Sequence, residues 1–192
     1  MARTATVERK TKETSIRCRL SLDGTGRVKA RTGIPLFNHI LEAMALHGRM
    51  DLDLRARGDL PTGDHHTVED TAIVLGQALS KALGDRRGIE RFGSAAVPMD
   101  ESLATVALDL GGRSYVAFEG KFVEKRVGGL ATRSAVHFLE QLAKHGGVTL
   151  HAATDGEDDH HMLEALFKAL GVALRRGAQV THGRVPSTKG RL

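Results

Sequence analysis

The chain has 192 residues, 41% of them hydrophobic, 4% aromatic and none tryptophan, with 28 basic against 23 acidic side chains for a net charge of +5. That length allows one domain or two tightly fused halves and buries roughly 70% of the unfolded surface, and the scarcity of aromatics assigns the core to Ala, Leu and Val. The single Cys18 excludes a disulfide framework, no apolar run reaches the ~20 residues of a membrane span, and the first residues lack the apolar centre of a secretory signal, so a cytoplasmic protein with no membrane partner is expected.

Residues 14–22 alternate polar and apolar side chains, which predicts a half-buried strand. The turn D-G-T-G at 23–26 leads to a second short strand ending near Arg31. Pro35 suits the first position of a helix. Leu36, Ile40, Leu41, Met44 and Ala45 form its apolar stripe, and Gly48 ends it. Residues 50–56 alternate strictly and read as a strand. Asp64 suits the N-cap of a helix from His65 to Leu83, which Gly84 stops. The segment 84–100 is the seam, and part of it starts the next sheet. The order then recurs: strands at 101–110 and 113–118, a helix at 130–144, a strand at 148–153, and a helix from His160 to about Arg176 capped by Asp159. The chain therefore reads as α+β and internally duplicated, two strand–strand–helix–strand–helix halves packed into one compact unit. Residues 1–90 form the first half, and 91–192 form the second half with a C-terminal tail.

One pattern of potential metal ligands occurs in both halves. The first copy has His39, then His47-Gly48, then His65-His66-x-x-Glu69; the second has His137, then His145-Gly146, then His160-His161-x-x-Glu164. On a helix the first His of each pair shares a face with the Glu four residues on, while the second His points about 100° away. One pair can thus hold one metal with its first His and Glu and present its second His to another. His39 and His137 add a ligand from the preceding helix. Eight ligands in two sets suggest two metals with four protein ligands each. Three imidazoles and a carboxylate, with positions left open, suit octahedral Mn²⁺, Fe²⁺ or Co²⁺ better than a closed tetrahedral Zn²⁺. A single such histidine is ordinary polar surface; the duplication argues for ligation. His47 and His145 precede helix-ending glycines, where a charged imidazole suits the helix dipole, and read as caps. His151 and His182 are given no role.

The basic residues are spread along the chain without aromatics for base stacking. An ordinary charged surface is the first reading, a small anionic substrate the second and nucleic acid the last.

D-H-H-T-V-E-D, D-H-H-M-L-E-A, K-E-T, T-G-I-P-L-F-N-H, P-M-D-E and V-P-S-T-K-G together resemble the imidazoleglycerol-phosphate dehydratase family of histidine biosynthesis, over essentially the whole chain. The resemblance implies a duplicated α+β fold, two Mn²⁺ ions per subunit, and a homo-oligomer of about two dozen subunits with sites at subunit contacts. It implies the metal ligands His39, His65, His66, Glu69, His137, His160, His161 and Glu164. It places Glu13, from K-E-T, near the reacting carbons, and gives catalytic weight to His65, Glu69, His160 and Glu164 as well. It implies that Arg91, Arg113, Lys168, Ser187, Thr188 and Lys189 hold the substrate, the last three making the tail a substrate-binding segment; Arg and Lys match a phosphate dianion. Two departures are visible. Asn38 stands where the family has Asp before the first His, and the loop before His160 is one residue short. The implied reaction dehydrates imidazoleglycerol phosphate to imidazole acetol phosphate. The proton lost is not acidic unaided, but an imidazolate held by two metals is electron-rich enough to expel the hydroxyl. A carboxylate such as Glu13 shuttles the proton. A di-metal phosphoesterase and a non-catalytic metal-binding shell are the alternatives; the first normally needs bridging Asp residues, which the pattern lacks.

Overall fold

Residues 3–181 are described in a computed structural model of the chain. They run β1 (Thr4–Lys10), β2 (Thr14–Ser21), β3 (Val28–Arg31), α1 (Pro35–His47), β4 (Asp51–Gly58), a 3-10 turn (Leu60–Thr62) and α2 (His65–Leu83). There follow β5 (Phe92–Met99), β6 (Ser102–Asp109), β7 (Tyr115–Glu119), β8 (Arg126–Val127), β9 (Leu130–Ala131), α3 (Thr132–Gly146), β10 (Thr149–Asp155) and α4 (Asp159–Ala178). The two four-stranded sheets have the same plan, β1-β2-β4-β3 and β5-β6-β10-β7. In each, the last pair is parallel and the others antiparallel. The mixed α+β duplication expected from the sequence is therefore present, with one unexpected strand, β1, at the head of the first half; at the head of the second, β5 is the part of the seam 84–100 that starts the next sheet. Only Ala5 and Val7 of β1 point inward before the charged run Glu8–Lys10, and β5 carries Gly93 and Pro98. Edge strands of that composition give a weak periodic signal.

Each sheet buries one face. Ile16, Cys18 and Leu20 of β2, Leu52, Leu54 and Ala56 of β4, and Ala104, Val106 and Leu108 of β6 alternate with exposed residues. Against these faces lie the helices: α2 on β1 and β2, α1 on β3, α4 on β5 and β6, α3 on β7. Each helix also crosses to the other half, α1 against α4 and α2 against α3, and one hydrophobic cluster runs through both halves. The expectation of an Ala, Leu and Val core needs correction. Phe37, Phe138 and Phe167 are each fully buried and meet at its centre, with ring centroids 5.5 and 5.2 Å apart. Few aromatics in the composition did not mean few in the core.

Glycines set the crossings. At Gly171 of α4 a Cβ would stand 2.0 Å from the Met44 carbonyl oxygen of α1, and at Gly76 of α2 it would stand 2.8 Å from the Leu142 carbonyl oxygen of α3. Each lies at the same distance along its helix from the His-His pair. Gly48 and Gly146, read from sequence as helix stops, also border these contacts.

The caps differ from expectation. Asp64 makes no side-chain cap; its carboxylate accepts the Ala131 N–H at 2.5 Å and pairs with Arg126. Asp158, not Asp159, caps α4, accepting from the His160 and His161 N–H groups. Asp159 is buried in the first turn and accepts the N–H groups of Val123 and Glu124. Asp64 and Asp159 precede and open their helices to grip the same segment, residues 123–131, from two sides.

Candidate metal centre and active site

The crossed helices decide which histidines meet. His39, in the second turn of α1, lies against α4 and not α2. Its Nε2 is 2.9 Å from Glu164 Oε2, and His160 Nε2 is 3.4 Å from the same oxygen. The equivalent group pairs α3 with α2: Glu69 Oε1 is 3.3 Å from His137 Nε2, and Glu69 Oε2 is 3.7 Å from His65 Nε2. The imidazoles stack similarly, His39 on His160 at 6.0 Å and His65 on His137 at 5.1 Å between centroids. The lone histidine of each half thus joins the pair of the other half. Sequence placed it beside its own, because neighbours along the chain are the default neighbours in space.

Each group offers two imidazole nitrogens and one carboxylate oxygen within 4.8 Å of one another. Convergent imidazole nitrogens around one carboxylate fit a divalent first-row cation. His66 and His161 belong to neither group. His66 Nδ1 lies 3.0 Å from Asp59 Oδ2 and 3.9 Å from Glu13 Oε2. His161 Nδ1 lies 2.9 Å from Glu101 Oε2. Asp59 and Glu101 raise the pKa of their histidines, first through these hydrogen bonds. The Glu101 carboxyl is held down at about 2, chiefly by His161.

Burial works against the charged form of Glu164, yet hydrogen bonds from Lys168 and His39 bring its pKa down to about 2. Lys168 Nζ donates to Glu164 Oε1 at 2.7 Å. Lys168, Glu164, His39 and His47 line one pocket of about 430 Å³. His47 stands in the last turn of α1, as expected of a cap, but partial desolvation and Lys168 lower its pKa and so disfavour the charged form. Desolvation and Lys144 do the same to His145.

Glu13 is exposed at the start of β2, on a turn held from beneath. The buried Asp70 of α2 accepts from the Thr14 hydroxyl and from Arg9 Nε at 2.8 Å. Asn38 turns its side-chain carbonyl away from the histidines and accepts the Thr32 N–H and hydroxyl at 2.8 and 2.7 Å, closing the turn before α1.

Arg91 and Arg113 stand apart from both groups. The Arg91 N–H bonds to the Gly177 carbonyl, which sets it about 25 Å from His160 along α4 at 1.5 Å per residue. Arg91 pairs with Asp109 through two contacts of 2.7 and 2.9 Å and lies over the Phe92 ring. The Arg113 carbonyl accepts from Thr149 at the start of β10, the end away from α4's first turn. Ser187, Thr188 and Lys189 lie outside the described residues, as does His182.

Sequence reasoning missed Asp59, Glu101 and Asp70. A signal for Glu101 existed. Glu13-Thr14 and Glu101-Ser102 both open the second strand of a sheet, so the duplication pointed to Glu101 as surely as to the histidines.

A family model described as imidazoleglycerol-phosphate dehydratase matches residues 32–174. The chain is 52% identical to the imidazoleglycerol-phosphate dehydratase of Methanococcoides burtonii, covering 98% of each chain. It is 50% identical to that of Methanosarcina barkeri, covering 99% of this chain and 100% of the other. The crystal structure of the Pyrococcus furiosus protein superposes with a TM-score of 0.84 at 34% identity, over 97% of this chain and 100% of that one. The Staphylococcus aureus structure also gives 0.84, at 31% identity, over 93% and 99%. The chain belongs to the imidazoleglycerol-phosphate dehydratase family, hydro-lyases of histidine biosynthesis.

Proposed function

We propose that the chain dehydrates imidazoleglycerol phosphate to imidazole acetol phosphate and water in the cytoplasm. It uses two Mn²⁺ ions per subunit at sites completed by neighbouring subunits of a homo-oligomer of about two dozen chains. The observation that carries this reading is the twofold His-Glu-His group, each three donors strong, with His66 and His161 held apart from both. A fourth protein ligand for each ion, its third imidazole, then comes from another subunit. The position of Arg91 and Arg113 at the far end of α4 supports the same division: these two arginines belong to a different chain from the metal group they serve, while Lys168 stands beside its own chain's group.

Cations held by His39, His160 and Glu164 and by His65, Glu69 and His137 would supply Lewis acidity to the substrate's imidazole. The chain's own residues do the rest. Glu164 stays ionised beside Lys168. Lys168, the two arginines and the tail residues Ser187, Thr188 and Lys189 bind the phosphate. Glu13 takes the proton from carbon and returns it to the neighbouring hydroxyl, which leaves as water, and the enol becomes the ketone as its O–H proton moves to carbon. Both groups contain only His and Glu, and the one further cluster among the described residues, Asp100 and Glu101 with His161, brings its Asp no closer than 3.9 Å to the ring, which disfavours a phosphoesterase with bridging Asp.

Metal-stripped protein should regain about two ions per chain, by elemental analysis, on Mn²⁺ reconstitution, and should form ketone only then. Less than one ion per chain at full reconstitution, or equal turnover without metal, overturns the reading.

A further inference from the structure

The carboxylates on His66 and His161 come from different places in the duplicated fold. Asp59 lies between β4 and α2, while Glu101 lies in the β5–β6 turn. The duplicate of Glu101 is Glu13, which stands 3.9 Å from His66 Nδ1 and leaves the close contact to Asp59 at 3.0 Å. The two halves have therefore diverged in which residue supplies the carboxylate and kept the contact itself. Both residues are tied down, Glu101 by its carboxylate and Asp59 by its backbone. Glu101 Oε1 accepts the Ser102 hydroxyl at 2.8 Å and the Asp158 N–H at 3.0 Å, which aims Oε2 at the ring. Asp158 in turn caps the helix that carries His161. Asp59 stands at the 3-10 turn, where its own carbonyl accepts the Thr62 N–H and hydroxyl, both at 2.8 Å.

A carboxylate on Nδ1 fixes the tautomer with that nitrogen protonated and leaves Nε2 as the lone-pair donor. We infer that Asp59 and Glu101 are positioning residues that preset His66 and His161, ring plane and tautomer, as donors for metal groups of another subunit. This rests on the shared-site reading above. It also explains why two histidines outside any complete group are held by carboxylates of anchored residues: an imidazole that must meet an ion on another chain has no help from its own chain's ligands.

The test uses the assembled full-length protein and Mn²⁺ itself. Mn²⁺ affinity is measured by equilibrium dialysis and by the electron paramagnetic resonance of the bound ion, and thermal unfolding of the metal-free protein is followed beside it. Asp59→Ala and Glu101→Ala should each weaken Mn²⁺ binding by about 10–100-fold. Asp59→Asn and Glu101→Gln, which keep an acceptor oxygen, should recover part of that loss. The metal-free unfolding temperature separates this from a general structural fault, which would lower it in step with affinity and overturn the assignment. His66→Ala and His161→Ala are the controls. If they lose affinity while the carboxylate variants bind as the parent does, the positioning role is wrong and the shared site stands. If the histidine variants bind normally, the shared site itself falls, and this inference with it. If Glu101→Ala removes one ion with the others unaffected, Asp100, Glu101 and His161 form a separate site, and the positioning role is again wrong.

Discussion

Single residues carry two kinds of ion pair here, and only one kind was legible. The ligands were visible because their spacing recurs; Arg91 was visible only as a member of E-R-F-G, with no hint of its partner. In the fold, Asp109 accepts two hydrogen bonds from Arg91, and both side chains are about five-sixths buried, at 15% and 16% exposure. Arg91 hydrogen bonds hold the Asp109 carboxyl below its ordinary value, against the desolvation that raises it. A carboxylate whose folded pKa is depressed contributes stability that is complete above its unfolded value, near 3.9, and lost as pH falls through the folded value. Asp109→Asn should therefore cost about 1.5–3 kcal/mol at neutral pH. The gap between parent and variant should close as thermal unfolding is followed from neutral pH to below pH 4. A gap that stays constant to low pH would mean that packing of the side chain, not its charge, supplies the stability. Arg86 shows the limit of sequence reading. It is buried and donates to the carbonyls of Leu110, Gly146 and Gly147 at 2.6–2.8 Å. Nothing along the chain distinguishes it from the solvated Arg87 beside it.

At the scale of elements, periodicity located all four helices and most inner strands, since a stripe of apolar residues reports directly on one buried face. It missed β1 and placed β5 only as some part of the seam 84–100, since their inward positions are few, and it misjudged the caps, because an aspartate near a helix start has other N–H groups to serve. What periodicity could not state was which helix lies on which. That information sits in Gly76 and Gly171, where two backbones touch. Alanine at Gly171 places its Cβ 2.0 Å from a carbonyl oxygen of α1, which forces the helices apart at a typical cost of about 1–3 kcal/mol. The better helix propensity of alanine, about 1 kcal/mol, offsets part of it. At Gly76 the nearest atom is 2.8 Å away, and the balance is closer to neutral. Gly171→Ala should lower the melting temperature by a few degrees, about 2–4 °C per kcal/mol in a chain of this size, and more than Gly76→Ala. Its second effect is local. Because α1 carries His39, the displacement should weaken metal binding at His39, His160 and Glu164 and spare His65, Glu69 and His137. Equal losses at both groups would show that the crossing does not set the ligand geometry.

At the scale of the molecule, the halves are joined by exchange: each lends its lone histidine to the other's pair, so neither half holds a complete group. The same logic carries to the subunit contacts proposed above. Within one chain, His160 opens α4 and Arg91 lies at its other end, about 25 Å away at the helical rise, a span far beyond one phosphorylated imidazole. If one site needs both residues, they come from different chains. His160→Ala and Arg91→Ala proteins should each be nearly inactive alone. Unfolded together and reassembled, they should regain activity, because some sites then draw an intact metal group from the Arg91→Ala chain and an intact Arg91 from the His160→Ala chain. The recovery should track the fraction of mixed assemblies as the ratio of the two chains is varied, peaking when both are abundant. Mixing the two proteins after separate assembly, with no exchange of subunits, should recover nothing. Failure of the co-assembled mixture to exceed its components, with mixed particles demonstrated by mass, would mean that phosphate and metal are handled within a single chain. Arg91 would then serve the fold, through its pairing with Asp109, and not the phosphate.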